Sequence, residues 1–393
     1  MTRSPKPWHN PQMMIDFPTS DNTKGGGLYR RPFIFFAIVY IIGQIALPLL
    51  YLEICMQKRV KRTYLASLIL LLFFACGPQP AEIKIATYNI YWLDDGISNA
   101  RQERLQTVVH ELNADIIGFQ EIQSKSALKR ILPDNYTIGM LDDPEELQEL
   151  AIAVREPFEI TDLKMVFPEK VHDQAFPRKR DLLQAYVEGY GRRLIVLVHH
   201  AKSRSGGRAK TNARREASAT MTMHYLTSRV KYDHIVLLGD FNDNPDDRSL
   251  NILESGNPDA LAGIDQVPDA FLYNTSEPLL DRDYCSYGYH DIYEKNESDI
   301  FEPIVPGARA ENNKWRDKPH NFARDVKVKA ILFDQILVSQ NLKNHVQSSG
   351  IFTHAEAVKG TRSRIRFSDG EIVYTIRGDL ASDHVPVWTI LKF

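Results

Sequence analysis

Along this chain, acids, amides and histidines recur directly beside apolar runs. Asn89 lies near the end of IKIATYNI, Glu121 follows DIIGFQ, His199 and His200 end LIVLVHH, and Asp240 and Asn242 follow IVLLG. Asp334 stands within ILFDQILV, and Asp383-His384 immediately precede the last apolar run. Carboxylate oxygens, together with water and phosphate oxygens, are the ligands that Mg²⁺ takes. Two histidines can give and take protons near neutral pH. Asparagine can hold a phosphate oxygen or orient a carboxylate without adding charge. The chemistry that suits this set is phosphoryl transfer with a hard metal ion. Taken singly, each residue has a plainer reading: a turn asparagine, a solvated strand end, a buried acid paired to an arginine. Taken together and in order, they form a strong signal.

The segments that must position these residues alternate between two periods. Ile83–Ile90, Asp115–Gln120, Ala151–Val154, Leu194–His199, Ile235–Leu238, Ile331–Val338 and Pro386–Phe393 read as strands. Leu105, Val108, Val109 and Leu112 make one apolar stripe, so Arg101–Asn113 reads as a helix, as does Arg214–Arg229. Strand faces alternate, so only one of His199 and His200 can turn away from the core. Strands mixed with helices predict a layered α/β architecture, and functional groups on sheet ends are rigidly held. Residues 255–325 are rich in Pro, Asn, Asp, Gly and Tyr and read as long loops before a late strand.

Composition narrows the classes. The 393 residues are 43% hydrophobic and 25% charged, which excludes wholesale disorder. Three cysteines are too few for a disulfide scaffold or a four-cysteine zinc site. The first 76 residues hold nine Lys+Arg against three Asp+Glu, and the remainder holds 39 against 47, a net −8. Polyanion binding must therefore come from local patches. One such patch is Lys202–Arg215, with six basic residues in fourteen and no acid. Its plain reading is a solvated loop leading into a helix. Beside the proposed site, Lys202, Arg204, Arg208 and Lys210 are expected to bind substrate phosphates.

The N-terminus reads as a delivery segment. Phe33–Leu52 is a twenty-residue run without a charge, long enough to cross a bilayer. From Met56, the basic residues Lys58, Arg59, Lys61 and Arg62 precede the eleven-residue apolar run Leu65–Ala75, and Cys76-Gly77 follow. That order resembles a bacterial lipoprotein signal peptide. Residues 1–55 are then either an upstream extension from a misassigned start or a first membrane span at 33–52. Both readings put residues 77–393 outside the cytoplasm, tethered to a membrane through the N-terminus, in the periplasm or at the cell surface.

TYNI at 87–90, FQEI at 119–122, HHAKS at 199–203, GDFNDNPDD at 239–247, FDQILVS at 333–339 and SDHVPV at 382–387 closely resemble the endonuclease/exonuclease/phosphatase superfamily. Deoxyribonuclease I, exonuclease III, neutral sphingomyelinases and inositol polyphosphate 5-phosphatases belong to it. The resemblance covers roughly 82–393. It implies a four-layer α/β sandwich, two packed mixed sheets flanked by helices, and metal-dependent hydrolysis of phosphate esters with Mg²⁺, or Mn²⁺ or Ca²⁺ in its place. Carried over by position, Glu121, Asn89 and Asp383 resemble the metal-side residues. Asp240 and Asn242 resemble the pair that orients the nucleophile and holds the phosphate. His384, oriented by Asp334, resembles the catalytic histidine, and His200 the second one. Gln148 and Glu149 are the nearest candidates for a partner to His200.

The leading expectation is an exported nuclease acting on nucleic acid. The alternative within enzymes is a phospholipid or phosphomonoester hydrolase, which would show an exposed apolar loop near the site. FLY at 271–273 is the candidate for that loop. The alternative of another class is a surface binding module without catalysis, which loss of a ligand or histidine would signal.

Overall fold

The computed structural model describes residues 81–393, except 144–145, 177–180, 206, 232, 264–268, 283, 291–330 and 369–370. The expected span at 33–52 and the signal-like segment at 56–76 lie outside the described residues. No helix among the described residues is long and apolar enough to cross a membrane.

The chain begins with β1 (Glu82–Leu93), α1 (Asn99–Leu112), β2 (Ile116–Ile122), α2 (Lys125–Ile131), β3 (Tyr136–Met140) and β4 (Glu149–Arg155). It continues with β5 (Glu159–Met165), β6 (Leu183–Gly189), β7 (Arg192–His200), α3 (Arg208–Leu226), β8 (Ile235–Asp240) and α4 (Arg248–Ser255). Next come β9 (Leu272–Asn274), α5 (Glu277–Asp281), β10 (Asp334–Ser339), α6 (Gln340–Lys343) and β11 (Val346–Ile351). The hairpin β12 (Arg364–Ser368) and β13 (Glu371–Ile376) precedes the final strand β14 (Val387–Lys392).

Two six-stranded sheets carry the fold, in the orders β11-β14-β1-β2-β4-β3 and β5-β6-β7-β8-β10-β9. Both are mixed: β1 runs parallel to β2 and antiparallel to β14, and β7 runs parallel to β8 while β10 is antiparallel to it. Residues of both sheets share one core, among them Ile85, Ile117 and Ile152 from the first and Val196, Leu238 and Ile336 from the second. The sheets approach closely at Gly118, where a Cβ would stand 2.1 Å from a methyl of Leu238. A side chain there would wedge the layers apart.

Helices cover the outer faces. The stripe of α1 buries Leu105, Val108, Val109 and Leu112 in the first core. Ser98 caps its start by accepting from the Arg101 amide at 3.2 Å, and Asn113 ends it in the left-handed region at φ 46°. On the second sheet's outer face, Ala219, Met223 and Leu226 of α3 and Leu250 and Leu253 of α4 pack with Leu197 and Leu237. The result is the four-layer sandwich that the family resemblance implied.

The structure alters three local expectations. The helix expected from Arg214 begins at Arg208, because its first turns turn arginines inward and carry no apolar stripe. Residues 255–325 are not loop throughout: β9 pairs with β10, and Leu272 is fully buried. Phe271 and Leu272 pack in the second core and Tyr273 against the first, so FLY at 271–273 is not an exposed apolar loop. Asp334 does not lie inside its strand but opens it.

Candidate active site

Topology explains why the polar residues converge. In the second sheet, His200 ends β7 and stands in register with Asp240 at the end of the parallel strand β8. Asp240 is in turn opposite Asp334, the first residue of the antiparallel strand β10. One strand beginning and two strands ending at the same edge put an imidazole and two carboxylates in a row. In the first sheet, Asn89 pairs with Gln120, so Glu121 follows at the same edge. β14 enters antiparallel to β1, which brings the preceding Asp383-His384 to that edge as well.

The two rows meet across the sandwich. Asn89 Nδ2 donates to Asp240 Oδ2 at 3.0 Å and to Glu121 Oε1 at 3.3 Å, linking two carboxylates from different sheets. His384 Nδ1 lies 2.7 Å from Asp334 Oδ2, and its Nε2 lies 3.8 Å from Asp240 Oδ2. His200 Nε2 lies 3.5 Å from Asp240 Oδ2 and 3.8 Å from Glu121 Oε1. His199 turns the other way, with its ring 5.3 Å from Phe241 and 5.8 Å from Phe176 in the second core. Glu121, His200, Asp240, Asn242, Asp383 and His384 all line one cavity of about 670 Å³. Gln148 lines it too, whereas Glu149 Oε1 accepts from the Asp143 amide at 2.8 Å.

Among the site residues named so far, Glu121 at φ 65° and Asn242 at φ 52° carry backbone in the left-handed region. Such conformations are uncommon outside glycine and collect at functional sites. The turn at Asn242 is held by its own amide, which donates to Asp240 Oδ1 at 2.8 Å, and by its Nδ2, which donates to Ala201 O at 3.2 Å.

The electrostatics separate the groups. Burial opposes charge on His384, but the carboxylates of Asp334 and then Asp240 outweigh it, and the imidazole stands well above its ordinary pKa. Burial pushes Asp240 above the usual carboxylate range, only partly opposed by His384. Asp383 pairs with Arg362 at 2.5 Å through Oδ2, while its buried Oδ1 has no hydrogen-bond partner. Asp334 Oδ1 is likewise buried without one. Orphaned carboxylate oxygens amid hard oxygen donors fit a divalent cation. Asp240, Asp334 and His384 bring ligand atoms within 4.8 Å of one another and could hold a metal ion. His384 and Asp334 already bond each other, so Glu121 and Asp383 leave that pair intact and suit the cation better.

The basic segment divides. Lys202 and Arg204 line the cavity. Arg204, however, also donates to Asn242 O and pairs with Asp243 at 3.0 Å and with Asp247. Arg208, 2% exposed, does not line the cavity and pairs with Asp247. Lys210 is exposed on α3 and also lies outside the cavity lining. The expected four-residue phosphate loop therefore reduces to Lys202 with part of Arg204. Acids downstream at Asp243 and Asp247 claim the other charge, a long-range pairing that local composition does not show.

Several residues escaped the sequence reading. Arg362 lines the cavity beside Asp383, and nothing in its loop marks it. Ser382 Oγ donates to Asn89 O at 2.6 Å and tethers the Asp383-His384 turn to β1. Ser286 Oγ accepts from the amides of Phe333 and Asp334 at 3.0 and 2.9 Å, setting the entry to β10. A buried arginine, Arg101, donates to Ile90 O, Tyr91 O and Ala381 O at 2.6, 2.5 and 3.2 Å. It joins the end of β1 to the chain just before Ser382. In sequence it reads only as the polar start of a helix.

Comparison with known proteins gives a consistent result. The model of the Endonuclease/Exonuclease/phosphatase family matches residues 95–305, a stretch that holds Glu121, His200, Asp240 and Asn242. TDP2 from C. elegans is similar in structure with a TM-score of 0.50 and 14% identity, over 97% of this chain and 99% of that one. A mannosyl-6-phosphatase of Bacteroides thetaiotaomicron VPI-5482 is similar with a TM-score of 0.45 and 16% identity, over 78% of this chain and 98% of that one. At 14% identity the likeness to TDP2 concerns the fold alone. Among the curated proteins, none matches this sequence.

Proposed function

This chain belongs to the endonuclease/exonuclease/phosphatase family, and we propose that it is a divalent-metal-dependent phosphodiesterase acting on nucleic acid. The observation that carries the reading is the His384–Asp334 pair at 2.7 Å, facing Asp240 and His200 across one cavity.

The roles follow from the geometry. Asp334 accepts from His384 Nδ1, which fixes the ring and leaves Nε2 toward Asp240 and the cavity. In the neutral form of His384, Nε2 takes a proton from the attacking water, and the two carboxylates that raise its pKa stabilise the imidazolium that forms. Asp240 orients that water. His200 stabilises or protonates the leaving oxygen, and Asn242, Lys202 and Arg204 hold the phosphate. Glu121 and Asp383, with Asn89 between Glu121 and Asp240, would hold the cation. A bound divalent ion supplies charge neutralisation at a non-bridging oxygen. Burial opposes charge on the Arg362 guanidinium, but Asp383 outweighs it and holds the arginine's pKa high.

The test is cleavage by the full chain of duplex DNA, single-stranded DNA, RNA, sphingomyelin and a phosphomonoester, with Mg²⁺, Mn²⁺ or chelator. Metal-dependent cleavage of a nucleic acid is expected. Full activity in chelator, or turnover of the phosphomonoester alone, overturns the reading.

We also propose that the enzyme works outside the cytoplasm, tethered through a lipid at Cys76. The support is the basic block, apolar run and cysteine in that order. Metabolic lipid labelling should mark the wild type and be lost in Cys76→Ser. Recovery as soluble cytoplasmic protein with residues 1–76 intact would sink this.

A further inference from the structure

The catalytic set accounts for the acids and imidazoles of the cavity and leaves one of its walls unassigned. Tyr91, Trp92 and Phe367 line that wall. Trp92 comes from the body of the protein. β1 loses its register with β2 between Asn89 and Leu93, and there Tyr91 and Trp92 take φ 52° and 53°. Two consecutive left-handed aromatic residues are a costly arrangement, and bulges beside a site commonly re-aim side chains. The surroundings hold the bulge in place. Arg101 donates to Ile90 O and Tyr91 O, and the Tyr374 hydroxyl of β13 donates to Trp92 O at 3.0 Å.

Phe367 comes from the β12–β13 hairpin, a separate two-stranded sheet. Its ring is 52% exposed and meets Trp92 edge-on, with centroids 5.6 Å apart and planes at 64°. The neighbouring Arg364 and Arg366 are exposed but do not line the cavity. The hairpin therefore presents a flat apolar ring to the site, not a charge. A ring of this kind selects a flat partner, since base–aromatic stacking works for every base.

We propose that Trp92 and Phe367 form a subsite for the nucleobase adjoining the scissile phosphate. This rests on the nucleic-acid reading above. It makes the hairpin a specificity element that separates base-bearing diesters from those of sugars or headgroups.

The test uses two esters with one leaving group: the p-nitrophenyl ester of thymidine 5′-monophosphate, which carries a base, and methyl p-nitrophenyl phosphate, which does not. The readout is the ratio of their kcat/KM values with Mg²⁺. Wild type should favour the thymidine ester. Phe367→Ala and Phe367→Leu should each lower the ratio by roughly 5- to 100-fold, the range of a lost base stack. Phe367→Tyr, which keeps a flat ring, should restore most of it. Trp92→Leu should lower it as well. If wild type cleaves both esters equally well, or if the ratio survives Phe367→Ala, the subsite is wrong and the phosphodiesterase reading stands. If the ratio is unmoved while Phe367→Ala weakens binding to phosphatidylglycerol vesicles, the ring serves a membrane surface and the subsite falls. If wild type cleaves neither ester nor DNA, the nucleic-acid reading falls and the subsite with it.

Discussion

Asp240 and Asp243 lie three residues apart, each 2% exposed, yet the structure treats them oppositely. Burial pushes Asp240 above the usual carboxylate range, and the charge of His384 only partly offsets it. Burial acts the same way on Asp243, but Arg215, Arg204 and Arg208 outweigh it and hold its carboxyl below that range. Arg215 Nε lies 2.7 Å from Asp243 Oδ2, and Ser249 donates to the same oxygen at 2.6 Å. Asp247 completes this network with Arg204 and Arg208. Burial is alike at the two positions and the partners differ: it prevails at Asp240 and is outweighed by arginines at Asp243. The arginine network neutralises its charge internally and fixes the loop after β8. The neighbouring cluster of Glu121, Asp240, Asp334 and Asp383 gathers carboxylates faster than cations, which suits a site that takes an ion and a phosphate.

The widest separation between the two regions should appear in kinetics. His384→Ala is expected to lower kcat by roughly 10²–10⁴-fold, the span of an acid–base residue. Metal affinity by calorimetry should stay near wild type. Glu121→Gln should instead weaken metal binding, with activity partly recovered at high Mg²⁺. Near-normal turnover in His384→Ala on the true substrate would remove the proposed mechanism.

Stability should separate the regions in the opposite sense. Asp243→Ala strands buried guanidiniums and is expected to cost about 3–5 kcal/mol. Asp240→Asn removes a charge that burial penalises, so in chelator near pH 8 it should be no less stable than wild type while activity is lost. Urea unfolding of the two variants side by side checks this. Equal destabilisation by both would mean that the cluster is a structural network like its neighbour.

The strand-end residues were legible because each apolar run is local, and the edge it delivers follows from strand direction. Asn89, Glu121, the His199-His200 pair, Asp240 and the Asp383-His384 pair all came from that pattern, and the choice of His200 came from the family resemblance. The first turns of α3 were not legible, since Arg208, Thr211 and Arg215 form a buried polar face that partners far along the chain must satisfy. The same holds for Arg101, whose bond to Ala381 O spans 280 residues, and for Arg362, whose partner is Asp383. The bulge at Tyr91-Trp92 was hidden because the strand pattern stops at Ile90, whereas β1 runs on to Leu93. The edge strand β5, EITDLKM, exposes much of its length and so lacks a clean alternation.

A finer distinction concerns the basic segment. Of Lys202, Arg204, Arg208 and Lys210, Lys202 alone lines the cavity outside the arginine network; Arg214 lines it too, but donates to Gln174 O and Asp173 O. Lys202→Gln should reduce the slope of log K against log salt on duplex DNA by about 0.9, one phosphate contact. Lys210→Gln should leave the slope unchanged. An equal drop in both would extend the nucleic-acid track along α3 and redraw the boundary between the regions.

The smallest effect concerns a third buried carboxylate, Glu149 at the start of β4, which stands outside both regions. Burial raises its pKa to about 8; the acceptor bond from the Asp143 amide opposes that, and Glu146, Asp142 and Asp143 add to it. No arginine or lysine is among its main influences, so it resembles Asp240 more than Asp243. The sign follows from linkage. The folded chain holds a proton on Glu149 between the ordinary value of 4.5 and about 8, where the unfolded chain has lost it. That contribution to stability is full below the lower value and is lost as pH rises through the upper one. Glu149→Gln keeps a carbonyl acceptor for the Asp143 amide and removes the charge. In chelator, the variant should unfold at higher urea than wild type at pH 8.5, with the gap closing toward pH 5. A variant that is less stable at pH 8.5 would show that a cation compensates Glu149, and would move it to the side of Asp243.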